Sequence, residues 1–132
     1  MVRAGTRLTV VSYGRTLPLC TKAADALAAE GIDAEVIDLR TLFPYDWEAI
    51  KQSVRKTGRV LFVNEDTEVT NFGEHLLRRT VEELFYELQA PPKLLAGANV
   101  PGIGLADQLE MASVPQLPSI TDAIRTLAKT EP

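Results

Sequence analysis

Asn64-Glu65-Asp66-Thr67-Glu68 places three carboxylates within five positions. Carboxylates this close can act as a general acid and base, or hold a divalent cation. Their spacing matches no calcium loop, and acids just ahead of a helix are favoured by its positive N-terminus in any case. A solvated loop is therefore the plainer reading. His75 is the only histidine. A catalytic role would require a nucleophile or carboxylate partner that the spacing does not locate, so a surface or interface position is the simpler expectation. Cys20 falls in an apolar stripe and reads as a small core residue. Gly102-Ile103-Gly104, with Gly97 upstream, suggests a nucleotide loop, but it lacks the preceding long strand, the third glycine and the immediate helix that a phosphate site needs. No Walker loop, CxxC pair, HExxH or GxSxG motif is present. Taken alone, these residues describe a domain without a self-sufficient active site.

The segments that must position them alternate between β-branched runs and amphipathic helical patterns. Leu8–Tyr13 reads as a strand ended by Gly14, followed by a helix through Ala29 or Glu30. Pro18 is tolerable in that helix because it lies in the first turn. Leu17, Cys20, Ala24, Leu27 and Ala28 form its apolar face, and Gly31 stops it. Ala34–Leu39 is the second strand. Asp46 can cap a second helix striped by Trp47, Ile50 and Val54 and ended by Gly58. Arg59–Val63 is the most apolar strand and belongs in the sheet centre. Asn71 and Glu74 have capping-box spacing for a third helix, in which Phe72, Leu76, Val81, Leu84, Phe85 and Leu88 recur at helical intervals. Pro91 and Pro92 end it, and Lys93–Ala96 is a short fourth strand. Residues 97–118 read as a long connection with one helical turn near 107–111. Ser119 and Asp122 suggest a capping box for a last helix lined by Ile120, Ile124 and Leu127. The expectation is a single α/β domain over residues 1–132: a three-layer α/β/α sandwich on a mostly parallel open sheet of about five strands. Such sheets function through loops at the carboxyl ends of their strands, here 12–16, 39–46 and 64–72.

A net charge of −4 argues against a nucleic-acid partner, which would call for a basic face. A single cysteine cannot close an internal disulfide, and no apolar run approaches a membrane span. The sequence therefore gives a cytoplasmic expectation, with no membrane partner.

Several segments in order resemble a known family. Leu8-Thr9-Val10-Val11-Ser12-Tyr13-Gly14 resembles the first strand of transketolase C-terminal domains. Residues 31–42, with Pro44 and Asp46, closely resemble the pattern "G-I-x-A-E-V-I-D-L-R-T-L-x-P-x-D" of beta subunits in pyruvate and branched-chain 2-oxoacid dehydrogenases. Residues 53–59 continue the match, and Asn71-Phe72-Gly73 resembles the family's "G-F-G". Leu88-Gln89-Ala90-Pro91 resembles "L-D-A-P", residues 97–101 resemble "G-x-D-V-P", and Leu109-Glu110 with Val114-Pro115-Gln116 resemble "L-E" and "L-P-Q". Transketolase proper and deoxyxylulose-phosphate synthase share the early pattern without this tail. The resemblance covers roughly residues 6–128.

This resemblance implies the C-terminal assembly and docking domain of a longer enzyme. That enzyme decarboxylates a 2-oxoacid on thiamine diphosphate and Mg²⁺, then acylates a lipoyl group of a dihydrolipoyl acyltransferase. Cofactor, metal and catalytic residues are expected in the other domains or subunits, none in this chain. The parent is expected to be homo-oligomeric. The candidate assembly interface comprises Asn64, Glu65, Asp66, Phe72, Glu74, His75 and Arg78; the candidate docking residues are Glu87, Gln89 and Glu131. Some positions depart from the family. Its "H-E-A" is Asn64-Glu65-Asp66, its "F-G-A-E-I" carries histidine at 75, and the docking aspartate of "L-D-A-P" is Gln89. Gly102-Ile103-Gly104 replaces "P-x-P-Y". The alternatives are the tail of a transketolase or deoxyxylulose-phosphate synthase, and a stand-alone anion-binding module.

Overall fold

The computed structural model describes residues 3–13, 16–39, 46–67, 72–97 and 117–130, with side chains at all of these except 64–67, 72–74 and 96–97. Strands β1 (Leu8–Ser12), β2 (Ala34–Asp38), β3 (Val60–Thr67) and β4 (Lys93–Gly97) alternate with helices α1 (Thr16–Ala28), α2 (Trp47–Thr57) and α3 (Phe72–Leu84); α4 (Leu117–Lys129) comes last. Among the described residues the sheet has four strands, all parallel, in the order β2-β1-β3-β4. Arg3 adds one antiparallel bridge to Val36 on the outer edge of β2. β1 shares the centre with β3, and every residue of Leu8-Thr9-Val10-Val11-Ser12 is buried, as a strand covered on both faces requires.

Side chains alternate across the sheet with period two. Leu8, Val10, Leu61 and Val63 face α1 and α4, where they meet Cys20, Ala24, Leu27, Ile120, Ile124 and Leu127. Val11, Ile37, Val60 and Phe62 face α2 and α3, against Trp47, Ile50, Val54, Leu76 and Leu84. The predicted three-layer sandwich is thus present, with one core on each face of the sheet.

Helix ends follow the expected chemistry. Asp46 accepts from the Ala49 N–H at 3.1 Å, and Gly58 ends α2 at φ 73° with its N–H on the Val54 carbonyl. Gly31 follows α1 at φ 83°. These two glycines occupy the left-handed region, where a Cβ is disfavoured.

Five details differ from expectation. On α1 the buried stripe includes Ala23, while Ala28 is exposed. The stripe on α3 is Leu76, Thr80 and Leu84, an i, i+4, i+8 row; Val81 and Phe85 sit one position further round and are 44% and 56% exposed. That helix ends at Leu84 and passes into a 3-10 turn at Phe85–Glu87. The last helix begins at Leu117, so Ser119 lies inside its first turn and is not its N-cap. Asn64 to Thr67 belong to β3 and not to a loop, because β3 continues past Val63 through a register irregularity to pair Thr67 with Gly97. The predicted turn at 107–111 and the predicted cap Asn71 lie outside the described residues.

Candidate interfaces at the two edges of the sheet

In a parallel α/β sheet each helix runs back against its strand. Helix N-termini therefore gather at the carboxyl edge and helix C-termini at the amino edge. This geometry sorts the candidate residues into two groups. Asn64, Glu65 and Asp66 lie in the last half of β3, and Phe72, Glu74, His75 and Arg78 lie in the first half of α3, so all belong towards the carboxyl edge. Glu87 and Gln89 follow α3 at the amino edge, where α4 also ends. Glu131 lies outside the described residues.

Of the first group, the side chains of His75 and Arg78 are described. His75 is half-buried, with Nδ1 3.4 Å from Arg78 Nη2. Arg78 is exposed and donates to Glu82 at 3.1 Å, one helical turn on. Nearby, Trp47 donates from Nε1 to Glu83 at 3.1 Å, and Arg79 donates to the same carboxylate at 2.7 Å while its guanidinium lies 4.5 Å from the Trp47 ring centroid. The Arg79 hydrogen bond, opposed by desolvation and aided by Trp47, holds the Glu83 carboxyl below its ordinary range. This cluster joins α2 to α3.

Also at the carboxyl edge, Ser12 and Thr16 share a buried hydroxyl contact of 2.6 Å beside the β1/β3 switch point. Thr16 Oγ1 further reaches the Tyr13 carbonyl at 3.1 Å. Cys20 is fully buried beneath them. Burial pushes its thiol up to about 11, partly offset by a hydrogen bond with Ser12. That environment keeps the thiol protonated, as expected of a core cysteine.

At the amino edge, Arg55 Nε donates to both carboxylate oxygens of Glu87, at 3.1 and 3.0 Å. Gln89 is exposed, but its Oε1 accepts from Arg59 Nη1 at 3.3 Å and its N–H donates to the Gly58 carbonyl at 2.7 Å. Beside it, Val81, Phe85, Leu88, Pro91 and Pro92 line an apolar groove of about 400 Å³, and the neighbouring Tyr86 is fully exposed.

Residue patterning missed a second polar assembly. Glu35 sits within the signature strand, yet it is 1% exposed on the α2 face. It accepts from Lys56 Nζ and from the Gly5 N–H at 3.1 Å. Burial pushes its carboxyl up, but the Lys56, Ser53 and Gly5 hydrogen bonds outweigh that, and the net shift is downward. Ser53, Thr9 and Thr57 extend the network through contacts of 2.6 and 2.8 Å. Gly5 must be glycine here, since a Cβ would fall 2.4 Å from the Ala34 carbonyl carbon. A strand pattern of apolar residues interrupted by one acid normally reads as an acid facing water; nothing local in the sequence reveals Lys56 as its partner.

Four carboxylates at or near these edges are engaged by cations: Glu35 by Lys56, Glu82 by Arg78, Glu83 by Arg79 and Glu87 by Arg55. Among the described residues no three His, Cys, Asp or Glu side chains converge as a metal site would require. These residues do not fit a thiamine diphosphate–Mg²⁺ site. Nor is any helix among them long and apolar enough to cross a membrane.

Comparison with known proteins agrees with this layout. The family model for the transketolase C-terminal domain matches residues 1–120. The chain is 36% identical over 127 residues to the 2-oxoisovalerate dehydrogenase subunit beta of Bacillus subtilis, covering 96% of this chain and 39% of that protein. It is 37% identical over 125 residues to the pyruvate dehydrogenase E1 component subunit beta of Rhizobium meliloti, covering 95% of this chain and 27% of that one. The chain therefore spans well under half the length of these relatives. Its fold matches a split-gene transketolase, described as an inactive beta4 tetramer, with a TM-score of 0.83 at 24% identity over 98% of this chain and 42% of the other. Strand order, sequence signature and family model converge: the chain belongs to the transketolase C-terminal domain family, with relatives among the beta subunits of 2-oxoacid dehydrogenases.

Proposed function

We propose that this chain is the C-terminal assembly and docking domain of a 2-oxoacid dehydrogenase beta subunit. It is one domain of a longer enzyme that decarboxylates a 2-oxoacid and acylates a lipoyl group. The observation that carries this reading is 36% identity to a beta subunit over 96% of the chain. Thiamine diphosphate and Mg²⁺, bound in the other domains, would supply the carbanion chemistry. This chain's own residues contribute surfaces. The carboxyl edge, with His75 and Arg78, is the assembly face. The amino edge, with Glu87, Gln89 and the flanking apolar groove, is the docking face for a dihydrolipoyl acyltransferase. A small basic binding domain suits an acidic chain, since opposite charge speeds encounter. Cys20, a buried free cysteine, is compatible with a cytoplasmic setting.

The test uses the full natural reading frame. With its partner subunit, thiamine diphosphate, Mg²⁺ and a lipoylated acyltransferase, it is expected to turn over a 2-oxoacid, and deletion of this domain is expected to break the subunit assembly. A reading frame encoding no cofactor-binding region, or micromolar binding of thiamine diphosphate by this chain alone in calorimetry, would overturn the proposal.

A further inference from the structure

We infer that Arg59 is a positioning residue of the amino-edge docking surface: its buried guanidinium locks the Gln89 side chain and the end of α4 into one unit. The inference rests on reading that edge as a docking face. Three segments distant in sequence converge there. Arg59 stands between the Gly58 turn and β3, Gln89 lies between α3 and β4, and Thr130 follows α4. Arg59 is 2% exposed. Its Nε and Nη2 donate to the Thr130 carbonyl at 3.2 and 3.0 Å, while Nη1 donates to Gln89 Oε1 at 3.3 Å.

A guanidinium is a rigid planar fork. It can satisfy both acceptors only while they keep one fixed relation. The turn beneath reinforces this. Gln89 donates its N–H to the Gly58 carbonyl, and its Cγ lies 2.9 Å from where a Gly58 Cβ would stand. Glycine at 58 thus serves the left-handed φ and also leaves room for Gln89 to lie across the turn. The cation suits the negative end of α4. Arg7 holds the preceding turn of that helix independently, donating to the Ala128 carbonyl at 2.7 Å. Loss of Arg59 is therefore expected to uncouple Gln89 from the helix end without unfolding the domain. A partner that touches residue 89 and the end of α4 meets a surface already ordered, and it binds more tightly than it would to the same groups left mobile.

The experiment uses the full-length enzyme, with the binding domain of its acyltransferase as probe. Arg59→Lys keeps the charge and removes the fork. We expect its affinity for the probe to fall about tenfold, the scale of re-ordering one or two side chains. Hydrogen exchange should rise together in peptides covering 86–92 and 126–130, with the β1 and β3 peptides unchanged. Because Arg59 acts through Gln89, the double variant Arg59→Lys/Gln89→Ala is expected to bind no worse than the weaker single variant. Additive losses would give Arg59 a merely structural role and overturn the inference, as would exchange that rises in one peptide alone or in neither. If the wild-type enzyme fails to bind the probe, the docking reading falls. The paired exchange response then still decides the lock: a joint rise upholds it and its absence overturns it.

Discussion

A buried carboxylate and a buried thiol set two expectations at the scale of single residues. Glu35 is held below the ordinary carboxylate range despite its burial, because Lys56, Ser53 and Gly5 all favour its charged form. A depressed folded-state value means that the stabilisation is complete above the unfolded value, about 4.3, and is lost as pH falls through the folded value. Thermal melts from pH 7 to pH 3 should therefore show the wild type losing stability below about pH 4.3 more steeply than Glu35→Gln. At pH 7 the variant should be less stable by roughly 1–2 kcal/mol; the Lys56 side chain is 44% exposed, so its share is largely screened. Parallel pH curves would show that Glu35 does not hold its charge in the folded chain. Cys20 has the opposite bias. With its thiol pushed up to about 11 and no exposed surface, it should resist a thiol reagent such as DTNB at pH 8 in the native protein and react at once in denaturant. Rapid native labelling would remove it from the core. Gln89 shows why residue identity alone misleads: the family's aspartate suggests a free rim charge, whereas the side chain at this position faces the Arg59 guanidinium, so an acid placed here would be partly neutralised from within.

Elements were more legible than the contacts between them. The two left-handed glycines, the Asp46 cap and the stripe Ile120, Ile124 and Leu127 could all be read from local spacing, because each reports a backbone requirement or one helix face. The α3 stripe was misread, because Val81 and Phe85 are apolar yet lie off the Leu76–Thr80–Leu84 row; composition favoured them and geometry chose buried Thr80 instead. The Thr80 hydroxyl can be buried because it donates to the Leu76 carbonyl at 2.8 Å, a solution invisible to a hydrophobic pattern. The candidate surfaces were legible only as lists. Their division between two edges follows from strand order, which long-range pairing decides. Two substitutions test the element-level account. Ile124→Ala, at a site with no exposed surface between α4 and the sheet, should cost about 2–5 kcal/mol in chemical denaturation. Val81→Ala should cost under about 1 kcal/mol at its 44% exposure. Equal losses would place Val81 in the core after all.

Across the whole molecule, the parallel topology separates the two proposed tasks in space. From Arg78 to Glu87 the chain rises roughly 15 Å along α3 and the 3-10 turn, more than the screening length of about 8 Å at physiological salt. Charges at one end should therefore be felt weakly at the other, and assembly and docking should respond to different substitutions in the full-length enzyme. Arg78→Glu removes an exposed ion pair with Glu82 and sets two acids one turn apart, a local penalty of about 0.5 kcal/mol that the fold can absorb. If Arg78 lies in the subunit interface, sedimentation should show weaker assembly, with the association rate of the basic binding domain unchanged. Glu87→Lys does the reverse. It removes a carboxylate paired with Arg55 and places two cations together at the docking edge. Association of a basic partner should slow several-fold at low salt, by an amount that shrinks as salt rises, while assembly stays intact. If either substitution impaired both processes alike, the two surfaces would be continuous and the edge-by-edge division wrong. If Glu87→Lys slowed binding equally at all ionic strengths, the defect would lie in the shape of the Arg55–Glu87 contact and not in the charge it presents.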